Sequence, residues 1–263
     1  MKTRPWIVLA AALILQLSLA GCASMKPENK QGQRASVVEF LFPGTDGTTQ
    51  VAYTTVAEIK VPFRVGIGFV PDHADPRFAI SEAQRQEMLG RVREAFQKYP
   101  FISSIEMVPS SYLTGGGGYA SVDSVARLLS LDSLVLLSYD QVQHADANGW
   151  SALYWTGIGL YTVPGDRYAI FTLLDAVVLD VKSRKVLLRA GGTSEVNGSA
   201  TAIGFGAVAR DARTHGFDQA LDRLIPGLHA QVKAFRERAP GDKGIRLDLP
   251  PGYDPNAVKA AAR

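Results

Sequence analysis

The chain has 263 residues, with 28 lysines and arginines against 25 aspartates and glutamates, a formal charge of +3 and 46% hydrophobic residues. A charge so near balance lacks the basic footprint of a nucleic-acid binder, and a single cysteine excludes an intrachain disulfide. Stability must come from a core, and the length suffices for one domain of ordinary size with tails.

The N-terminus is the most informative segment. Met1-Lys2-Thr3-Arg4 is a basic start, Trp6 to Ala20 is apolar, and Leu19-Ala20-Gly21-Cys22 closes the run with small residues and the only cysteine. An apolar run of this length is a poor membrane-spanning helix, which needs about 20 residues, and a good secretory signal over residues 1–21. Leu19-Ala20-Gly21-Cys22 resembles a lipobox, the pattern at which bacterial lipoproteins are acylated on the thiol and cleaved between Gly21 and Cys22. The resemblance implies two or three acyl chains on Cys22. At about 0.8 kcal/mol per buried methylene, such an anchor is effectively permanent. Ala23 stands where an aspartate would resemble an inner-membrane retention signal, so the expected address is the cell envelope, lipid-anchored in the outer membrane and facing the periplasm. Removal of the signal takes away Lys2 and Arg4 and no acid, which brings the charge closer still to zero.

Residues 22–34 are polar and read as a flexible tether. Ser36 to Pro43 is apolar enough for a short packed helix, and Gly44-Thr45-Asp46-Gly47 is a turn. Phe63 to Val70 reads as the first core strand, in which Gly66 and Gly68 mark close backbone approach. Ser81 to Tyr99 switches to helical periodicity with Met88, Val92, Ala95, Phe96 and Tyr99 on one stripe; Ser81 and Gln84 form a capping-box pattern. Ile102 to Val108 is a strand, Ser121 to Leu129 a helix and Ser133 to Gln143 a strand. Ile170 to Val181 and Val186 to Ala190 read as a hairpin across Lys182-Ser183-Arg184-Lys185, with Thr193 to Val196 continuing its second arm. A last helix covers His215 to Arg238, with Phe217, Ala220, Leu221, Leu224, Leu228, Val232 and Phe235 on its buried side, and Pro226 is expected to kink or break it. Residues 239–263 are rich in proline and glycine and read as a tail, disordered or loosely docked, with no packed element. The order, roughly β-α-β-α-β-β-β-α, predicts an α/β (α+β) single domain over residues 35–238, a mixed sheet with helices packed on it.

Trp150 to Val163 carries two of the three tryptophans and no charged side chain. It reads first as core covering the sheet; exposed, it would be an interaction surface formed by Trp150, Tyr154, Trp155 and Tyr161.

The lipobox, Val37-Val38-Glu39-Phe40-Leu41-Phe42-Pro43, Pro62-Phe63-Arg64-Val65-Gly66-Ile67-Gly68-Phe69-Val70-Pro71, Val108-Pro109-Ser110-Ser111-Tyr112-Leu113, Leu137 to Gln143, Leu153-Tyr154-Trp155-Thr156, Asp175 to Val181 and Arg189 to Ser194 together resemble the rhombotarget lipoprotein family, over nearly all of the mature domain. The family is named for a C-terminal sorting segment cut by a rhomboid-type protease. After Arg238 this chain shows no apolar helix and no basic end cluster, so that processing is not expected here. The resemblance implies no particular activity. In element order the chain is also similar to periplasmic lipoproteins with the fold of the curli secretion lipoprotein, a likeness of architecture that transfers no function.

Reactive constellations are sparse. Asp72-His73-Ala74-Asp75 has too few ligands for a metal and reads as a solvated loop. Gly204 to Ala209 fits a dinucleotide fingerprint by letter but lacks the flanking strands, and Gly115 to Gly118 lacks the Lys-Ser/Thr of a phosphate loop. His215 and His229 are expected at the solvent edge of the last helix. No catalytic residue, metal or cofactor is therefore expected. The favoured function is an envelope interaction or accessory factor with an envelope protein partner and no nucleic acid. The alternatives are an envelope hydrolase using Asp140, His144 and Asp175, or a membrane-inserting, secretion-associated lipoprotein.

Overall fold

A computed structural model describes residues 30–43, 56–72, 79–113, 117–148, 150, 153 and 159–253. The signal segment, Cys22 and the first part of the tether lie outside the described residues. The expected class holds: an α/β chain with a mixed sheet and helices packed against it. The chain separates into two compact units, one of Gly32–Val142, Ile170–Val196 and Ala209–Arg263, the other of Met1–Gln31, Gln143–Ala169 and Asn197–Val208.

In the larger unit the centre is β3 (Phe63–Phe69), flanked in parallel by β4 (Ile102–Met107) and β5 (Ser133–Ala147). Two crossovers build this core: β3 passes through α2 (Glu82–Phe96) to β4, and β4 passes through α3 (Gly118–Leu129) to β5. The two connections step in opposite directions across the sheet, so right-handed crossovers put α2 and α3 on opposite faces. The neighbours agree, since Phe42 after α1 (Val37–Leu41) meets Tyr119 of α3 edge to face at 5.7 Å, whereas Arg91 of α2 reaches Asp218 at 3.4 Å on the last helix, α5 (Phe205–Arg238). The predicted capping box at Ser81 and Gln84 is present. Ile67, Phe69, Leu134, Leu136, Leu137, Leu174 and Leu221 are fully buried, and each contributes about 1.5–3 kcal/mol.

The sheet continues through β6 (Asp166–Asp180) and β7 (Val186–Ala200), giving the order β4-β3-β5-β6-β7. The predicted hairpin is there, its turn closed by Asp180 N–H donating to the Lys185 carbonyl at 2.9 Å. β3 pairs only with Ser133 to Leu137, so the rest of that edge of β5 is left for another strand. It is taken by β1 (Lys30–Ala35), which corrects the reading of residues 22–34 as tether throughout. Gln33 explains the choice: buried, it donates to Gln141 at 2.9 Å, and Gln141 in turn donates to Thr172 at 2.8 Å.

Three further expectations are corrected. α3 starts at Gly118, earlier than expected. α5 starts at Phe205, ten residues before the expected His215, and runs through Pro226 as one helix. Pro226 is exposed, so the bond that its missing N–H cannot make lies on the watered side, where solvent replaces it. The tail is not disordered as far as Tyr253: β8 (Ile245–Asp248) pairs in parallel with β2 (Ala57–Lys60), Ala57 opposite Ile245. These strands bury Ala57, Ile59, Val61 and Leu187 in a second, smaller core.

In the smaller unit, Asn148 ties the ends of the long strands. Its N–H donates to the Gly165 carbonyl at 2.7 Å, its side-chain amide donates to the Pro164 carbonyl at 3.0 Å, and its side-chain oxygen accepts from the Trp150 N–H at 2.9 Å. A single turn, α4 (Gly159–Thr162), follows, and its Leu160 carbonyl accepts from the Ile203 N–H.

Candidate functional site

Of the four residues expected to form an interaction surface, Tyr154 and Trp155 lie outside the described residues. Trp150 is 66% and Tyr161 68% exposed, and Leu153 between them is also exposed. The reading of this segment as buried core is thus corrected at these three positions. The same unit exposes Ile203 beside Leu160. Asn148 joins the two ends of the segment through its hydrogen bonds to Pro164 and Gly165.

The residues of the hydrolase alternative are only partly brought together. Asp140 and Asp175 both line an open groove of about 710 Å3 in the larger unit, beside Ser138, Arg184 and Arg189. His144 is not among the groove's residues, nor is any other histidine. The Asp175 carboxylate is already engaged, since the Arg189 guanidinium donates to both of its oxygens at 2.8 and 2.9 Å. A carboxylate held in this way is a poor base, and no nucleophile and base stand within hydrogen-bond reach there.

The Asp72 loop is corrected most sharply. Asp72 is mostly screened from solvent: Arg85 of α2 donates to it at 2.6 Å, with side-chain exposures of 9% for Arg85 and 13% for Asp72. The Tyr139 hydroxyl donates to the same oxygen, and Arg85 also donates to Ser110 at 3.0 Å. Burial first, and then the hydrogen bond to Asp72, hold Tyr139 far above the usual phenol range, so it stays a neutral donor. Phe69 and Phe217 pack edge to face on its ring. His73 and Asp75 lie outside the described residues. With one tyrosine, one serine and a close ion pair, in which only the Arg85 Nε is left without a hydrogen bond, this cluster ties β3, α2 and β5 together. Among the described residues no group of three or more histidine, cysteine or acidic side chains could hold a metal.

His215 is exposed as expected, and His229 is partly buried. Its ring stacks on Phe96 at 4.3 Å, and its Nδ1 lies 2.6 Å from the Tyr99 hydroxyl. Burial, aided by the charge of Lys98, lowers its pKa. As pH falls, the unfolded chain therefore takes up this proton first, and stability that is complete above the ordinary histidine value of about 6.5 is lost below it. Calorimetry between about pH 7 and 5 should show a decline in Tm that is shallower in His229→Gln, which cannot titrate. Equal slopes would show that His229 does not report burial.

No protein-family model matches the chain, and no curated protein matches its sequence. Among solved structures it is similar to the PelC dodecamer subunit from Paraburkholderia phytofirmans, at 10% identity over 73% of this chain and 96% of that one, with a TM-score of 0.27. It is also similar to a Helicobacter pylori structure described as a homolog of the neuraminyllactose-binding hemagglutinin, at 8% identity over 77% of this chain and 98% of that one, with a TM-score of 0.36.

Proposed function

We propose that the protein is a lipoprotein of the rhombotarget kind, anchored through Cys22 in the outer membrane and facing the periplasm, where it acts as a protein-interaction or accessory factor. One observation carries the interaction reading: Trp150, Leu153 and Tyr161 stand in water within a fourteen-residue stretch that has no charged side chain. Large apolar groups left wet on a folded unit mark contact surfaces, and aromatic residues are the ones enriched there. The lipobox supports the address, because an acylated Cys22 confines the chain to a membrane surface where its neighbours are other envelope proteins. The groove with Asp140 and Asp175 does not support a hydrolase, for want of a base beside a nucleophile.

The test is photocrosslinking in intact cells, with benzoylphenylalanine replacing Trp150. A discrete adduct with an envelope protein is expected there, none from the same probe at exposed Glu87 on α2, and none from Trp150 once Cys22→Ser removes the anchor. Equal adducts at both positions would refute the surface, and an adduct that survives Cys22→Ser would refute the need for the anchor. Labelling of phospholipid instead of protein would replace partner binding by membrane insertion.

A further inference from the structure

The larger unit contains a cavity of about 610 Å3 between its two hydrophobic cores. Sheet residues Val65 and Val135 form its floor, Val232 and Phe235 of α5 one wall, and Phe96 and Phe101 another. The short β2–β8 pair contributes Ile59 and Leu247 to its lining. A hollow lined by aliphatic and aromatic groups and open to solvent leaves apolar surface against water, which an apolar ligand would cover. A void of this size and lining matches the range of ligand sites.

The charged groups of its lining come from one element. Lys233, Arg236 and Glu237 on the last turns of α5 are the charged residues that line it. Lys233 and Arg236 are three apart and share a helix face, and the Arg236 guanidinium lies 5.8 Å from the Phe101 ring centroid. Two cations set one turn apart against the single acid Glu237 leave this part of the rim net positive, and such groups are suited to carboxylate or phosphate. An apolar interior with a net positive rim selects an amphiphile with an anionic head.

We propose that this cavity binds one acyl chain of an anionic single-chain lipid, its tail between the two cores and its head at Lys233 and Arg236. The volume falls in the range of sites that take one small ligand, which favours a single chain. This site lies apart from the aromatic surface of the smaller unit and does not depend on it.

The probe is a dansyl-labelled fatty acid added to the full chain carrying Cys22→Ser, with displacement by palmitate. The apolar leader is common to every variant, so differences between variants report the cavity. Val232→Trp, which fills the void from a half-buried helix position, is expected to weaken binding about tenfold or more while the thermal transition is retained. Ile105→Phe, from the partly buried edge strand β4, gives a second way to fill it should the first variant unfold. Lys233→Glu with Arg236→Glu is expected to weaken palmitate about fivefold and leave hexadecanol unchanged. Folded cavity-filled variants that bind as the parent does would overturn the site. Equal loss of acid and alcohol on charge reversal would overturn the assignment of an anionic head. Stronger retention of a diacyl phosphatidic acid than of palmitate would overturn the single chain.

Discussion

Gly192→Val is expected to destabilise the protein by about 3 kcal/mol or more, the upper end of what overpacking costs. The reason lies in how α5 meets β7. A Cβ at Gly192 would collide with the Ala220 carbonyl and lie 2.6 Å from the Leu224 amide nitrogen, both main-chain atoms of the helix. A side-chain obstacle can rotate away, but here the helix itself would have to lift from the sheet, dragging Leu221 and Leu224 out of the core. For a chain of this size the loss corresponds to roughly 6–12 °C in Tm, measured by circular dichroism. Gly90→Ala is the contrasting case. Nothing lies within 4 Å of its Cβ position, and it sits inside α2, so a gain of about 0.5–1 kcal/mol is expected from helix propensity alone. A Gly192→Val protein with the parent's Tm would mean that α5 does not seat on β7 at this depth.

The second large effect concerns Arg85 and Asp72. Arg85→Met leaves the Asp72 carboxylate buried against the Tyr139 hydroxyl with its cation gone, and an orphaned buried charge costs about 3–5 kcal/mol. The double variant Asp72→Leu with Arg85→Met removes both charges and is expected to return to within about 1 kcal/mol of the parent, since apolar replacement of a buried pair is often neutral. Urea unfolding measures both. A single Arg85→Met that costs nothing would show that the pair is open to solvent, contrary to exposures near a tenth.

What could be read from the sequence was local. The capping box at Ser81 and Gln84, the apolar runs of β3 and β5 and the hairpin around Ser183 each carry their signal within a few residues. What escaped depended on partners far along the chain. Lys30 to Ala35 has no β-branched residue, and it becomes a strand only because β5 is longer than its neighbour β3 and leaves an edge to fill. Ile245-Arg246-Leu247-Asp248 alternates apolar and polar as a strand should, but prolines on either side masked a four-residue pattern. Asp72 looked like a loop acid because nothing local reveals that Arg85, on the next helix, turns back onto it. Trp150 to Val163 was misread for a different reason. Apolar composition says what could be buried, not what is, and Trp150, Leu153 and Tyr161 are exposed. Of the candidate site, two of the four aromatic positions can be placed, and both are exposed.

The seam between β2 and β8 has a temporal meaning. Ala57 cannot meet Ile245 until the ribosome has made nearly the whole chain, whereas β3, β4 and β5 can assemble from a contiguous stretch. The entropy of closing so long a loop grows only logarithmically, so late arrival more than energetic penalty makes this the last part to form. Until then Val61 and Leu187 stay bare. A chain truncated before residue 245 would keep its main core and carry that sticky hollow permanently, a natural target for quality-control proteases.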